Sequence, residues 1–306
     1  MDAAQLSFPL VPRWRPVGSA FGRLRASRRG LGSSIAATRL YRPGDDPGTI
    51  DWKLSARVSS VRGDAEFVVR EDYADEAPRA IVVADRRPSM SLFPDELPWL
   101  SKPAALRTIW EAVVIAAIRE LGFAGYLDTA SGHGWFPPHS ASAHAEIEER
   151  QRSAGFDAPA DGLEEAFERL AHGRRSLPPG SFVFVCSDFF DPPSAAAWLR
   201  GLGRRFDLVP VVVQDPVWEQ SFPPVGGLVV PFADPETGRV VKVRLTKAEA
   251  EARKEANEAR LDALLGDFAS LGLDCVVVGD AAPSAVLDAF TGWGEARLAL
   301  RRGEWR

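Results

Sequence analysis

Short runs of consecutive apolar residues, alternating with amphipathic stretches, limit what this chain can fold into more than any other feature. Ile81 to Ala84, Phe182 to Cys186 and Asp207 to Val213 are almost wholly apolar, the pattern of strands covered on both faces. Phe123 to Thr129 and Asp274 to Val278 read as further strands. Between them, Pro103 to Leu121 carries Leu106, Ile109, Trp110, Val113, Val114 and Ala117 at helical spacing and ends at Gly122. Gly162 to Leu170 repeats that spacing with Leu163, Ala166, Phe167 and Leu170. Helices are also expected over Ser194 to Gly201, over Thr246 to Leu271 with Thr246 as cap, and over Pro283 to Phe290. Strands alternating with helices imply an α/β fold, a mainly parallel sheet with helices on both faces. Two alternating runs flanking Ala233 to Gly238 read as a β-hairpin inserted at 225–245, between the strands Asp207 to Val213 and Asp274 to Val278.

The 306 residues, 45% of them apolar, suffice for a sizeable core. The net charge of −5 is unevenly spread, because residues 1–62 hold eleven Arg/Lys against four Asp/Glu and the remainder is strongly acidic. Six of those arginines, Arg13, Arg15, Arg23, Arg25, Arg28 and Arg29, fall in residues 1–35, a Gly/Ser/Pro-rich stretch that reads as an irregular basic arm. No aromatic interleaving accompanies the charge, so pairing with the acidic body or with a partner protein is expected ahead of nucleic acid or an anionic membrane surface. Cys186 and Cys275 lie at apolar runs and read as buried free thiols. The longest apolar window, Ala112 to Ile118, is far short of the ~20 residues a bilayer crossing needs, and no signal-peptide pattern opens the chain. The expected location is cytoplasmic.

The remaining organisation is a signature segment, 36–77, before an α/β body at 78–292, with a tail at 293–306. Residues 39–57 read RLYRPGDDPGTIDWKLSAR. Asp46-Pro47 looks like a helix start, with Asp46 capping and Pro47 in the first turn. Ile50, Leu54 and Trp52 would face inward, while Asp51, Lys53 and Arg57 face outward or pair locally. Asp45 and Asp46 with Arg42 and Arg57 form a charged cluster around a Pro-Gly turn, either a locally satisfied cap or a docking surface.

The Y-x-PGDD-x-x-x-IDW-x-x-SAR pattern, followed by Asp85 at the end of an apolar strand and then Ser89, resembles the prokaryotic Domain of Unknown Function 58 family. The resemblance implies a von Willebrand A-like body and a metal-ion-dependent adhesion site. In that site an Asp-x-Ser-x-Ser loop, a threonine and a later aspartate hold Mg²⁺. This chain offers Asp85, Ser89 and Asp188, but Arg87 stands at the first serine and Ala160 at the threonine. An arginine at ~4 Å from Mg²⁺ is unfavourable by several kcal/mol even at an effective dielectric of about 20. The site is therefore expected to be degenerate and without tight Mg²⁺, with Arg87 either bridging Asp85 and Asp188 as an internal counter-ion or pointing to solvent. The resemblance further implies a non-enzymatic adaptor that partners a MoxR-type AAA+ ATPase.

Catalytic patterns are weak. His133, His139, His144 and His172 lack the spacing of a metal site, no histidine is placed to activate Cys186, and no Walker-type loop occurs. Two alternatives remain: a metal-dependent hydrolase in the crevice of Asp85, Asp188 and Asp191, or an anion-surface binder using the N-terminal arginines.

Overall fold

The computed structural model describes residues 7–13, 21–62, 66–91, 100–131, 134–139, 144–172, 177–201, 205–233 and 239–303. Six strands form the central sheet: β3 (Arg79–Ala84), β4 (Phe123–Asp128), β5 (Trp135–His139), β6 (Phe182–Ser187), β7 (Asp207–Val213) and β10 (Val276–Val278). Their order is β10-β7-β6-β3-β4-β5, all parallel except β5, which runs antiparallel to β4 at the edge. Numbered within the sheet this is the doubly wound 3-2-1-4-5-6 order, the von Willebrand A-like arrangement. Pro137 and Pro138 lie in β5, where an edge position tolerates their missing N–H groups.

The period of two along each buried strand divides the core into two layers. Ala80, Val82, Phe182, Phe184, Val209 and Val211 face α2 (Lys102–Arg119) and α7 (Pro283–Gly303). Ile81, Val83, Val183, Val185, Leu208 and Val212 face α4 (Gly162–His172), α5 (Ala195–Gly201) and α6 (Lys247–Ser270). Thr246 caps α6 through a full capping box with Glu249. Gly122 closes α2, but the left-handed residue there is Leu121, with φ of 56°. Gly122 is needed because a Cβ would strike the Pro78 carbonyl oxygen. The expected hairpin is present as β8 (Val229–Ala233) and β9 (Val240–Arg244), a separate two-stranded sheet.

Elsewhere the structure departs from expectation. The arm is not irregular throughout: β1 (Phe21–Leu40) is a long, bulged strand paired antiparallel with β2 (Val68–Glu76). Neither strand has clean alternation, which hid them in the sequence. Earlier still, Phe8, Leu10 and Val11 are buried in the core of the body, with the Phe8 ring 4.7 Å from Phe290 and 6.2 Å from Trp293. Residues 293–303 are likewise no tail, since α7 continues through them to Gly303. The second half of α7 is held by the N-terminal segment, a partner nearly 290 positions away in the chain. A Cβ at Gly294 would meet the Pro9 carbonyl oxygen. Edge strand β5 and α3 (His144–Ser153) were also not anticipated.

A buried ionic clasp closes this end of the molecule. Arg297 donates to both oxygens of Asp207 at 2.9 and 2.8 Å, to the Val11 carbonyl at 2.8 Å and to Asp274, and its guanidinium lies 4.2 Å from the Trp293 ring. Arg13 adds bonds to the Gly272 carbonyl and Asp274. One arginine of the basic stretch thus pairs with the acidic body; Arg15 lies outside the described residues, as do the side chains of Arg23, Arg25, Arg28 and Arg29. Removing one partner of a buried pair leaves the other charge uncompensated, so Arg297→Ala should cost about 3–5 kcal/mol in urea unfolding. A cost below about 1 kcal/mol would show that the clasp is not what holds the two termini.

Candidate functional site

Each of the inner strands of the sheet is followed at its carboxyl end by an aspartate, and every one is buried. Asp85 follows β3, Asp128 closes β4, Asp188 follows β6 and Asp215 lies two residues past β7; all are at most 5% exposed. Because β3 and β6 pair with Ala84 opposite Cys186, Asp85 and Asp188 leave the sheet side by side at the same end. The two aspartates thus adjoin at the carboxyl end of the sheet, but both are fully buried.

The space around these carboxylates is occupied by the protein's own cations. Arg87 donates through Nε to Asp85 Oδ2 at 2.9 Å, and its Nη2 lies 2.7 Å from the same oxygen; its backbone N–H binds Asp85 Oδ1 at 2.9 Å. Nη2 also reaches Ser187 Oγ at 3.2 Å, and that hydroxyl donates to Asp85 at 2.7 Å. Nη1 donates to the Asp191 carbonyl at 2.7 Å. Burial works against the Arg87 charge, but the hydrogen bonds and field of Asp85 outweigh it and hold the guanidinium above the usual range. Arg87 thus does not bridge Asp85 and Asp188, as one expectation had it, and it does not point to solvent. Its second anchor is Asp191.

Asp188 has a different partner, Lys102 from the start of α2, at 3.0 Å. Lys102 Nζ also lies 2.6 Å from Glu219 and 3.3 Å from the Ser89 carbonyl, with the Phe190 ring 4.8 Å away. Desolvation opposes the lysine charge, yet the two carboxylates overcome it and raise its pKa. The backbone turns sharply at Phe189, which is buried with φ of 50°, an uncommon conformation for a bulky side chain. Phe190 N–H then returns to Asp188 Oδ1 at 3.3 Å, and Gln214 Nε2 donates to the Asp188 carbonyl at 2.5 Å. Asp128 takes both 2.8 Å bonds of an Arg150 fork from α3, and Asp215 accepts the backbone N–H groups of Leu100, Val217 and Trp218. Ser89 contributes only its carbonyl among the described contacts, and Ala160 and Asp161 are exposed at the rim. There a cleft of about 260 Å³ is lined by Arg87, Ala160, Asp161, Glu164 and Asp191.

The polar groups of the signature segment bond mostly within the segment and to β2 (Val68–Glu76). Asp46 does cap, but it caps a 3-10 turn (Pro47–Thr49), accepting Gly48 N–H at 2.8 Å. The α-helix proper, α1 (Trp52–Arg62), starts later and is capped by Asp51, which accepts Leu54 N–H at 3.0 Å. Ser55 of the S-A-R triplet is buried and clamps α1 to β2, accepting Val68 N–H at 2.8 Å and donating to the Asp51 carbonyl at 2.7 Å. Asp45 pairs with Arg39, at 2.7 and 2.8 Å, and with Arg42 through that residue's backbone N–H. Arg57 is exposed and joins no ion pair among the described residues, so the expected four-charge cluster is replaced by the Arg39–Asp45 fork. Trp52 does not face inward: it is 64% exposed and rests edge-on against Phe67 at 5.7 Å.

A family model described as "Protein of unknown function DUF58" matches residues 37–263. The chain belongs to the DUF58 family. Among solved structures, the DUF58 chain here is similar to the conserved hypothetical protein BatB from Bacteroides thetaiotaomicron, at 16% identity with a TM-score of 0.39, covering 71% of this chain and 99% of that one. An aerotolerance-related membrane protein from Bacteroides fragilis matches at 16% identity and a TM-score of 0.43, covering 72% and 99%. No match was found among the curated proteins. The fold assignment rests on the strand order described above. Among the described residues no helix is long and apolar enough to cross a membrane.

Lys102, Glu219, Ser187 and Arg150 escaped the sequence reading. The repeated pattern of an apolar run ending in aspartate would have found Asp128 and Asp215, but nothing local marks Lys102, a lone lysine at the head of an apolar helix. Lys102→Met should strand Asp188 and destabilise the protein by about 3–5 kcal/mol. Adding Asp188→Asn should recover a substantial part of that loss in a urea-unfolding double-mutant cycle, and strict additivity of the two changes would show that they are not coupled. At the signature turn, the Arg39 side chain and the Arg42 N–H hold the Asp45 carboxyl down at about 2, against an ordinary 3.8. A depressed carboxylate stabilises the folded state above its ordinary value, and the contribution fades as pH falls towards 2. NMR titration of Asp45 should show this low value, returning towards 3.8 in Arg39→Gln.

Proposed function

We propose that this protein is a non-enzymatic, protein-binding adaptor whose adhesion site has exchanged its metal for internal cations. The observation that carries the reading is that Asp85 and Asp188, the two carboxylates such a site would offer to Mg²⁺, are each buried against an intramolecular cation, Arg87 and Lys102. Magnesium favours near-octahedral oxygen ligands at short distance. Here a guanidinium occupies the first serine position, an alanine the threonine position, and Ser89 turns its carbonyl to Lys102. These residues do not fit a divalent cation, which would have to displace two satisfied ion pairs. What replaces the metal is a preformed, charge-balanced platform at the mouth of the sheet.

The hydrolase alternative needs a free carboxylate or nucleophile in the same crevice. Asp85 and Asp188 are paired, and burial pushes the Cys186 thiol well above its ordinary pKa. The Asp191 carboxylate is largely exposed and 3.9 Å from Arg87, whose short 2.7 Å bond goes to the Asp191 backbone carbonyl instead. For the anion-binding alternative, Arg13 is already committed to Asp274 and Gly272.

Docking fits two surfaces, the rim around Ala160, Asp161 and Asp191, and the exposed part of the signature, Trp52 with Arg57. Family resemblance points to a MoxR-type AAA+ ATPase as the partner. Calorimetric titration with Mg²⁺ and Mn²⁺ should give no binding in the micromolar range, and micromolar affinity would overturn the metal-free reading. In pull-downs from the native cell, an AAA+ ATPase should co-purify with the wild type and be lost with Trp52→Ala or Asp191→Lys, both at exposed positions. Retention by both folded variants would overturn the docking assignment.

A further inference from the structure

The inserted hairpin carries an unfinished sheet. In β8, Val230 is buried beneath Phe222 and Ala250, with Trp218 and Phe232 packed alongside. Its register partner in β9 is Val243, and Phe232 pairs with Val241, so all four share one face. Yet Val241 is 46% and Val243 36% exposed, and every residue of β9 is exposed. The apolar face therefore runs one strand further than α6 and the loop before the hairpin cover. Among the described residues β9 pairs only with β8, which leaves its outer row of N–H and C=O groups open. The other edge, on β8, is interrupted by Pro231, which has no donor; β9 has no such interruption.

The opposite face of β9 holds Lys242 and Arg244, and no acidic residue occurs from Arg239 to Leu245. We infer that the free edge of β9 accepts an extended, acidic segment of a partner protein as a third strand. A strand laid there would place alternate apolar side chains beside Val241 and Val243. Its intervening acidic side chains would then lie beside Lys242 and Arg244, the strand-addition mode in which main-chain bonds give affinity and alternate side chains give selectivity. A second copy of this chain is a poorer occupant. Antiparallel pairing of two β9 edges centred on Lys242 sets lysine opposite lysine, and any register joins two cationic edges that lack an acid. The site is separate from the crevice and does not depend on how that crevice is used.

The test is amide hydrogen exchange of the full chain with a capped octapeptide alternating Glu and Val. Outward-facing β9 amides should slow at least tenfold, and the protection should weaken as salt rises. A peptide of the same composition in two blocks, four Glu then four Val, should protect far less. Lys242→Glu/Arg244→Glu, at exposed positions and checked for an unchanged melting profile, should lose the effect and gain it with an alternating Lys/Val peptide. The single variant Lys242→Glu serves should the double variant fold poorly. Absence of protection at millimolar peptide, equal protection by the block peptide, or β9 protection that rises with protein concentration alone would each overturn the proposal, the last in favour of self-association.

Discussion

The structure depends on neutralising carboxylates that the sheet delivers into its own mouth. Four parallel strands end in or just before an aspartate, and an uncompensated buried carboxylate is too costly for a marginally stable domain. Each is answered by a different element. Arg87 comes from the loop of its own aspartate, Lys102 from α2, Arg150 from α3, and Asp215 relies on backbone N–H groups. Charge balance therefore fixes where three loops and two helices meet the sheet, the region in which doubly wound folds place their ligands.

The same logic operates at the other end of the strands. Asp207, at the start of β7, meets Arg297 from the last helix, and the segment around Val11 closes over both. Phe8 to Val11 and the second half of α7, which composition marked as peripheral, are thereby part of the core. The signature segment follows it too: Asp45, Asp46 and Asp51 each satisfy a local donor, while Trp52 and Arg57 stay exposed along with Arg42 and Lys53.

Legibility tracked the range of the interaction. The alternation of apolar runs and amphipathic helices is local, and the strands and helices of the body appeared nearly where expected, including Asp207 to Val213 and the Thr246 cap. The hairpin was legible because its turn residues and alternation lie within about twenty positions. The pairing of β1 with β2 was not, because bulges break the period of two in a strand rich in Gly, Ser and Arg. In the crevice, the placement of Asp85 and Asp188 followed from topology, and Arg87 announced itself by standing at a serine position. Its second partner, Asp191, and the role of Lys102 did not.

By itself the sequence determined the layered α/β body, the end of the sheet at which its aspartates gather, and the Thr246 start of α6, since each depends on periodicity or on a few adjacent residues. Only the tertiary structure decided which cation meets which carboxylate. Asp85 is served by a residue two positions away and Asp188 by one 86 positions away. Coulomb attraction acts through space, and the distances that decide between equally charged candidates exist only once the chain has folded.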